Sequence, residues 1–217
     1  MTTTGRNWAA LSLTALLLVA AAWAQGPVAD LPLTTVDAKS GEVSFGDLAA
    51  DALCNVGSAP IALIPAVSFK DGTINAGPFD RAGLAALLQQ PDEPWAVSSL
   101  TGRQLRAALE RSVSRAPLPN GGFLQVSGLR VNYDPAGTRD LRIKSILVNG
   151  APLSETANYE VAMPMSLAKG GAGYFQIFDA SAIVRQGNTP VADAIFVYAK
   201  ARGHVNYTGQ GRITASQ

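Results

Sequence analysis

The sequence predicts a single α+β (mixed α/β) domain in which mixed sheets pack against helices. Two observations predict this class. Apolar residues follow helical periods in some segments and strand periods in others, without the strict β-α alternation of a doubly wound sheet. The chain has 217 residues, which is enough for one well-filled core and short for two. We expect this domain to cover residues 42–213.

The N-terminus has the pattern of a secretory signal peptide. Arg6 precedes an uncharged apolar run over residues 9–22, and Ala22 and Ala24 form the A-x-A pattern of a signal-peptidase site. The run is shorter than the ~20 residues that a spanning helix needs. We predict a signal peptide over 1–24, export to the periplasm or cell envelope, and no membrane span after cleavage. An uncleaved N-terminal anchor is the alternative.

The first half of the domain reads as two helices around one strand. Residues 25–41 contain Pro and Thr without a period, which is typical of a tether or an edge strand. "SFGDLAADALCNVG" places Leu48 and Leu53 on one helical stripe, and Gly57 marks its end. "PIALIPAV" predicts a strand covered on both faces. "GPFDRAGLAALLQQP" predicts a helix of about two to three turns that ends at Pro91.

"SLTGRQLRAALERSVSRAP" carries the clearest helix start in the chain. Thr101 can accept from the free N–H groups, and Gln104 three residues later can reach back to Thr101, which forms a capping box. Leu100 and Leu105 have the spacing of a hydrophobic staple. We predict a helix that starts after Thr101 and ends before Pro117.

The second half changes to a period of two, which indicates strands. In "FLQVSGLRVNYD", apolar and polar residues alternate after Gly128, which marks a turn or a bulge. "DLRIKSILVNGAPL" predicts a strand that starts at Leu141 and closes at the Asn149-Gly150 turn. "NYEVAMP" predicts another strand. "TPVADAIFVYAKARGHV" predicts a helix that stops before Gly203.

Residues that carry catalysis are scarce. The net charge of +1 does not favour nucleic acid as a partner. His204 is the single histidine, whereas a two-metal hydrolase needs several His, Asp and Asn ligands. We therefore expect no metal or other cofactor in this chain and no catalysis by it alone. Cys54 is the single cysteine and is expected to be a small buried hydrophobe, with a reactive thiol as the alternative.

Two aromatic residues directly follow glycine-rich turns. Phe123 follows Asn-Gly-Gly, and Tyr174 follows Gly-Gly-Ala-Gly. Glycines let a backbone approach a ligand closely and present a ring from a loop. Two such rings could sandwich a flat heterocycle, with ~1–3 kcal/mol per stacked base. The alternative is that both rings plug the core. We expect Phe175 and Phe178 to be core members.

Five segments occur in the order and spacing of one family: "SFGDLAADAL", "SLTGRQLRAALERSV", "GGFLQVSGLRVNYD", "NYEVAMPMSLAKGGAGY" and "GHVNYTGQGRI". They resemble the C-terminal domain of bacterial and animal 5'-nucleotidases, the group that includes periplasmic UDP-sugar hydrolases. The resemblance covers residues 42–213. It implies a substrate-recognition domain, with hydrolysis at two metal ions in a separate metallophosphatase domain. It also implies that two rings clamp the base, which by motif match are Phe123 and Tyr174.

The chain departs from the family pattern at several positions. Pro65 stands where the family has asparagine, 66–68 replace glycines, and Lys70 replaces an arginine. Lysine keeps the positive charge but loses the bidentate fork that grips a phosphate. Ala172 replaces the loop aspartate. Asp179 could hydrogen-bond a sugar hydroxyl, although its position favours the alternative of solvation at the surface. The predicted substrate-binding residues are Phe123, Tyr174, Lys70, Asp179, Gly171 and Gly173.

Three hypotheses for function follow. The first is nucleoside or nucleotide recognition in nucleotide catabolism, together with a separately encoded metallophosphatase that holds the divalent metals. The second is a stand-alone exported protein that binds nucleosides without turnover. The third is a structural or interaction protein of the cell envelope that has kept the fold and lost the ligand.

Overall fold

The computed structural model describes residues 26–216, so the predicted signal peptide over 1–24 lies outside the described residues. Helices and mixed sheets share one hydrophobic core, which confirms the predicted fold class. Residues 26–41, expected to be a tether or an edge strand, contribute two short strands. Within 26–216, no helix has both the length and the apolar character needed to cross a bilayer.

The bounds of the elements are as follows. The strands are β1 Val28–Ala29, β2 Leu33–Thr34, β3 Ile61–Pro65, β4 Thr73–Ile74, β5 Gly77–Pro78, β6 Trp95–Thr101, β7 Leu124–Ser127, β8 Leu129–Tyr133, β9 Ile143–Val148, β10 Ala151–Pro152, β11 Asn158–Pro164, β12 Ile183–Gly187, β13 His204–Val205 and β14 Ile213–Ala215. The α-helices are α1 Ser44–Gly57, α2 Arg81–Ala86, α3 Gly102–Val113, α4 Met165–Ala168 and α5 Val191–Arg202.

The central sheet has five strands in the order β12-β6-β11-β3-β7. Its parallel pair is β3 and β11, with Ile61 opposite Val161, whereas the other pairs are antiparallel. All five residues of β3 are buried, as its nearly all-apolar sequence predicts. Helix α1 packs on this sheet, and the approach at its last residue, Gly57, is so close that a Cβ there would lie only 3.0 Å from the Ala162 Cβ.

Helix α3 begins with the predicted capping box. The Thr101 hydroxyl accepts from the Gln104 N–H at 3.2 Å, and the Gln104 Oε1 accepts from the Thr101 N–H at 2.9 Å. The two leucines of the predicted staple, Leu100 and Leu105, are both fully buried. The helix ends at Val113, one turn before the predicted stop.

Gly128 separates two strands that belong to different sheets. Strand β7 lies in the central sheet, whereas β8 lies in a second sheet of order β10-β9-β8-β14. Gly128 has φ +73°, and a Cβ there would lie 2.0 Å from the Pro60 carbonyl oxygen. Only glycine fits this crossing, since a side chain would meet both a positive φ and a backbone oxygen.

Three details differ from the sequence-based predictions. Helix α2 is shorter than predicted, because Asp80 caps it through the Gly83 N–H at 2.8 Å and the residues before Asp80 form β5. Strand β9 begins at Ile143, and Leu141 is 72% exposed in the turn before it. Strand β6 was not predicted, because Ser98 and Ser99 interrupt its apolar run.

A buried group of charges links α1 to the C-terminal strand. Arg212 forms two hydrogen bonds to Asp51, at 2.7 and 3.0 Å, and Asp51 also accepts from the Tyr207 hydroxyl. Burial alone would raise the pKa of Asp51, but these hydrogen bonds outweigh it and lower the pKa. The Asp47 Oδ1 is buried and lacks a hydrogen bond, with the Arg212 Nε 3.4 Å away. Burial, together with the nearby Glu42 carboxylate, raises the pKa of Asp47 to about 8 despite Arg212.

The Asp47 carboxyl should make stability depend on pH. Its pKa rises from 3.8 in the unfolded chain to about 8 in the fold. The folded state therefore holds a proton that the unfolded state has lost, and this contribution to stability falls as pH rises through that window. We expect Asp47→Asn to remove this pH dependence and to be more stable than the parent at pH 8. Urea unfolding at pH 5, 6, 7 and 8 measures both effects.

Asp51→Asn is the matched control for this experiment. Asp51 is paired with Arg212, and its lowered pKa makes its contribution present above the unfolded pKa and lost as pH falls through the folded one. The control should lose roughly 3 kcal/mol at neutral pH, because the buried Arg212 loses the carboxylate to which it makes two hydrogen bonds. A parent chain whose unfolding free energy relative to Asp47→Asn is the same at pH 5 and pH 8 would contradict the assignment.

Candidate ligand-binding site

Several loops of the chain lie at one edge of the central sheet. Because β3 and β11 are parallel neighbours, their carboxyl ends, at Pro65 and Pro164, lie at the same edge. Strand β6 runs antiparallel to β11, with Trp95 opposite Pro164, so the residues before β6 reach this edge as well. In open α/β sheets, ligands bind in the crevice outside the carboxyl ends of the parallel strands. The parallel pair of this mixed sheet creates a similar position, where two loops leave neighbouring strands at the same edge.

A cavity of about 210 Å³ lies at this edge. It is formed by the turn after β3, the loop after β11 and the segment between α2 and β6. Its apolar lining is Ile64, Pro65, Val67, Leu88, Pro164, Ala172 and Val191. The rest of its lining is Ser68, Gln89, Gln90, Glu93, Ser166 and Gly171. The lining contains one carboxylate and no lysine, arginine or histidine.

Glu93 is fixed in place at the wall of this cavity. Its Oε1 accepts from the Ser166 N–H at 2.6 Å, and its backbone carbonyl accepts from the Val191 N–H at 2.8 Å. The two bonds tie the segment before β6 to the starts of α4 and α5. The Oε2 has no hydrogen bond of its own within the described residues and remains an acceptor.

The turn over residues 120–123 joins the two loops that wall the cavity. The Val67 N–H donates to the Gly121 carbonyl at 2.8 Å, which holds the turn after β3. The Tyr174 hydroxyl donates to the Gly122 carbonyl at 2.5 Å, which holds the loop after β11. The Arg111 Nε donates to the Gly173 carbonyl at 3.1 Å on the outer side of that loop.

The two predicted clamp rings lie behind the cavity wall. Phe123 is 2% exposed and Tyr174 is fully buried. One face of the Tyr174 ring stacks on Phe178 with 5.1 Å between centroids, and burial raises the pKa of its hydroxyl far above the ordinary value. The structure therefore places both rings in the core, and stacking of a base between them stays a prediction.

Phe175 was expected in the core and is instead 72% exposed, whereas Phe178 is buried as predicted. The helical turn after the glycine loop explains this difference. The Phe178 N–H donates to the Tyr174 carbonyl, so these two residues lie one turn apart on the inward side. Phe175 follows Tyr174 directly and points outward on the same turn.

The other predicted site residues are dispersed. Gly171 lines the cavity, and Gly173 contacts Arg111 on the outer side of the loop. Lys70 is exposed and does not line the cavity. Asp179 is exposed and accepts from the Ser181 N–H at 2.8 Å, so it caps a short 3-10 turn. Of the six, Gly171 alone lines the cavity.

The polar residues of the cavity were not predicted from the sequence. Gln89, Gln90 and Glu93 lie before β6, a strand that was not predicted, so nothing placed them at the sheet edge. Pro91 and Pro94 flank Glu93. These two closely spaced prolines before an apolar run were the feature of the sequence that could have indicated the start of a strand there.

Metal-binding clusters are absent from the part of the chain that the structure describes, since no three His, Cys, Asp or Glu side chains come together there with a suitable geometry. His204 is exposed on the surface, with its Nδ1 2.7 Å from an Asp30 carboxylate oxygen. Cys54 is partly buried and free, and burial raises the pKa of its thiol to about 11. The thiol is therefore protonated at neutral pH.

A second cleft, of about 340 Å³, lies at the other end of β3. Its lining includes Asp51, Ser127, Arg130 and Arg212. These groups already bind one another or the backbone, since Asp51 pairs with Arg212 and accepts from Ser127, while Arg130 donates to the carbonyl of Gln210. The cleft offers few free polar groups to a ligand.

The fold and cavity together define an α+β domain with a small-molecule cavity at the carboxyl edge of a parallel strand pair. The family model described as "5'-nucleotidase, C-terminal domain" matches residues 23–180, and the chain belongs to this family.

Relatives and solved structures agree with this assignment. The snake venom 5'-nucleotidase of Naja atra is 32% identical over 125 residues, 54% of this chain and 23% of that protein. The 5'-nucleotidase-related protein of Glossina morsitans morsitans is 30% identical over 199 residues, 81% of this chain and 35% of that protein. The 5'-nucleotidase precursor from Thermus thermophilus superposes with a TM-score of 0.78 at 27% identity, over 94% of this chain and 42% of that chain. The chain thus spans about a quarter to a third of the curated relatives' length.

The loop at Ala172 carries backbone strain that a substitution should relieve. Ala172 has φ +54°, in the left-handed region that a Cβ disfavours. We expect Ala172→Gly to raise the free energy of unfolding by about 0.5–1 kcal/mol, the left-handed penalty less the added freedom of the unfolded chain. Urea unfolding measures the change.

Gly170→Ala is the control in the same loop. Gly170 has φ +86°, and a Cβ there would lie 2.6 Å from the Phe175 Cα. This variant should lose stability. If both variants shift stability in the same direction, the conformation described for this loop is wrong.

Proposed function

We propose that this chain is an exported recognition domain that binds the nucleoside portion of its ligand in the 210 Å³ cavity at the carboxyl edge of β3 and β11. The observation that carries the proposal is the position of this cavity within a 5'-nucleotidase C-terminal fold. Both of its walls follow parallel strands, where ligands of such sheets bind. Export is supported by the signal-peptide pattern in residues 1–24.

The lining of the cavity supports a flat, partly apolar ligand. Val67 and the two prolines at the strand ends offer apolar surface, while Ser68 and Gln89 offer donors and acceptors at its rim. Small-molecule sites combine a largely apolar lining with a few polar groups that fix orientation. A nucleobase has this character, with two apolar faces and a polar edge.

We further propose that the domain acts in nucleotide catabolism together with a metallophosphatase. Support comes from relatives named as a 5'-nucleotidase and as a 5'-nucleotidase-related protein, of each of which this chain spans a part. The described residues hold no cluster that could bind a catalytic metal pair. Hydrolysis is therefore assigned to the partner and recognition to this domain.

Binding is tested by titration calorimetry with a panel of nucleosides and nucleotides at millimolar concentration. Val67 is 49% exposed and lines the cavity, so Val67→Trp should fill it and weaken adenosine binding at least about tenfold. Val184 is 50% exposed on β12 and does not line the cavity, so Val184→Trp is the matched control and should bind like the parent. A flat titration for every ligand would overturn the proposal, as would equal losses in both variants.

A second experiment tests the assignment of hydrolysis to a separate metallophosphatase. The purified chain with Mn²⁺, Zn²⁺ or Mg²⁺ should release no phosphate from AMP, because the described residues offer no two-metal site. A colourimetric phosphate assay measures this, with an active metallophosphatase as the positive control. Turnover that depends on the added metal and survives repurification would show that catalysis lies in this chain.

A further inference from the structure

We infer that this cavity selects an uncharged ligand, a nucleoside or free nucleobase without a phosphate, and that Glu93 sets this preference. The inference rests on the proposed function and names the ligand class of the same site. The family resemblance implies nucleotides with a phosphate. The side chains around the cavity favour the dephosphorylated form.

The charge of the lining is the first observation. Within the described residues that line the cavity there is no lysine, arginine or histidine, and Glu93 is the one ionisable side chain. A phosphate group binds through positive side chains or clustered N–H donors. Lys70, the basic residue that the resemblance places on the phosphate side, is exposed and lies outside the lining. A phosphate at this site would face a carboxylate without a compensating cation.

The size of the cavity is the second observation. Its volume of about 210 Å³ is below the roughly 300–1,000 Å³ of typical ligand pockets. Its walls are held by backbone hydrogen bonds, among them the one from Val67 to Gly121 at 2.8 Å. The space suits a nucleobase with the sugar toward the opening, so a phosphate on that sugar would lie at the mouth of the cavity, near Glu93 and without a cation of the lining beside it.

The hydrogen bonding of Glu93 is the third observation. Its Oε1 is held by the Ser166 N–H at 2.6 Å, which fixes the carboxylate at the wall. The Oε2 is left to accept from an N–H or O–H group of the ligand. Hydrogen bonds to a charged acceptor are stronger than those between neutral groups, so this contact adds to affinity. The same charge repels an anionic ligand.

Glu93→Gln separates the charge of this residue from its structural role. The amide oxygen of glutamine can still accept from the Ser166 N–H, so the wall should keep its position. Asp92→Asn is the matched control, because Asp92 is 82% exposed in its side chain and does not line the cavity. Gln90→Lys adds a positive charge at an exposed position of the lining, so it tests the effect of charge by adding a cation where Glu93→Gln removes an anion.

Calorimetry with adenosine and AMP on the folded full chain measures the preference. We expect the parent and Asp92→Asn to bind adenosine at least about fivefold more tightly than AMP, because of the carboxylate repulsion. Glu93→Gln should weaken the binding of adenosine about tenfold and reduce the preference for adenosine over AMP. Gln90→Lys should also reduce this preference, because it strengthens the binding of AMP. Circular dichroism confirms that each variant is folded.

The outcomes separate this inference from the proposed function. If neither adenosine nor AMP binds the parent, the proposed function fails and the inference falls with it. If AMP binds as tightly as adenosine or more tightly, the inference is overturned while the proposed function stands. If adenosine is preferred but both Glu93→Gln and Gln90→Lys leave that preference unchanged, the assignment to Glu93 is overturned.

Discussion

The parallel pairing of β3 with β11 is the constraint on which the site depends. Ile61 lies opposite Val161, so both strands end at the same edge of the sheet, and both end in proline. A proline at the end of a strand cannot donate to a continuing ladder, so the chain turns away there. The turn after Pro65 and the loop after Pro164 become the two walls of one cavity. An antiparallel pairing would have placed them at opposite edges.

A second constraint holds the two ends of the domain together. Strand β14 is the last strand of the second sheet, and it reaches α1 through Arg212 and Asp51. The Glu42 Oε2 also accepts from the Ile213 N–H at 2.9 Å, which gives that strand a second link to the segment before α1. One arginine thus lies beside more carboxylates than it can neutralise, and burial together with the neighbouring negative charge raises the pKa of Asp47. The group therefore links distant segments of the chain, and the unfavourable ionisation of Asp47 lowers the stability of the fold as pH rises.

Local signals in the sequence predicted most elements, whereas the position of the cavity depends on pairing between strands that are distant in the sequence. The capping box at Thr101, the Asn149-Gly150 turn and the buried run of β3 act within a few residues, and each was predicted correctly. Strand β6 carries two serines in its centre, and its strand character comes from pairing with β11 and β12 on both sides. Because that strand was missed, Glu93 had no predicted location.

The glycine loop shows the same limit at the level of single residues. Its sequence predicts a flexible turn followed by an aromatic residue, and both are present. Which of two adjacent rings faces inward depends on the phase of the helical turn that begins at Tyr174, and composition does not set that phase. The structure turns Tyr174 in and leaves Phe175 72% exposed, opposite to the expected core role of Phe175.

The turn over 120–123 has a consequence for how recognition occurs. It receives hydrogen bonds from both loops that wall the cavity: from the Ala66 and Val67 N–H groups on one side and from the Tyr174 hydroxyl on the other. The walls are therefore ordered when the domain folds, and a ligand that enters does not have to meet the entropic cost of ordering them. Under the proposed function, walls that are held in this way would favour ligands that match the shape of the cavity, so selectivity would be set when the domain folds.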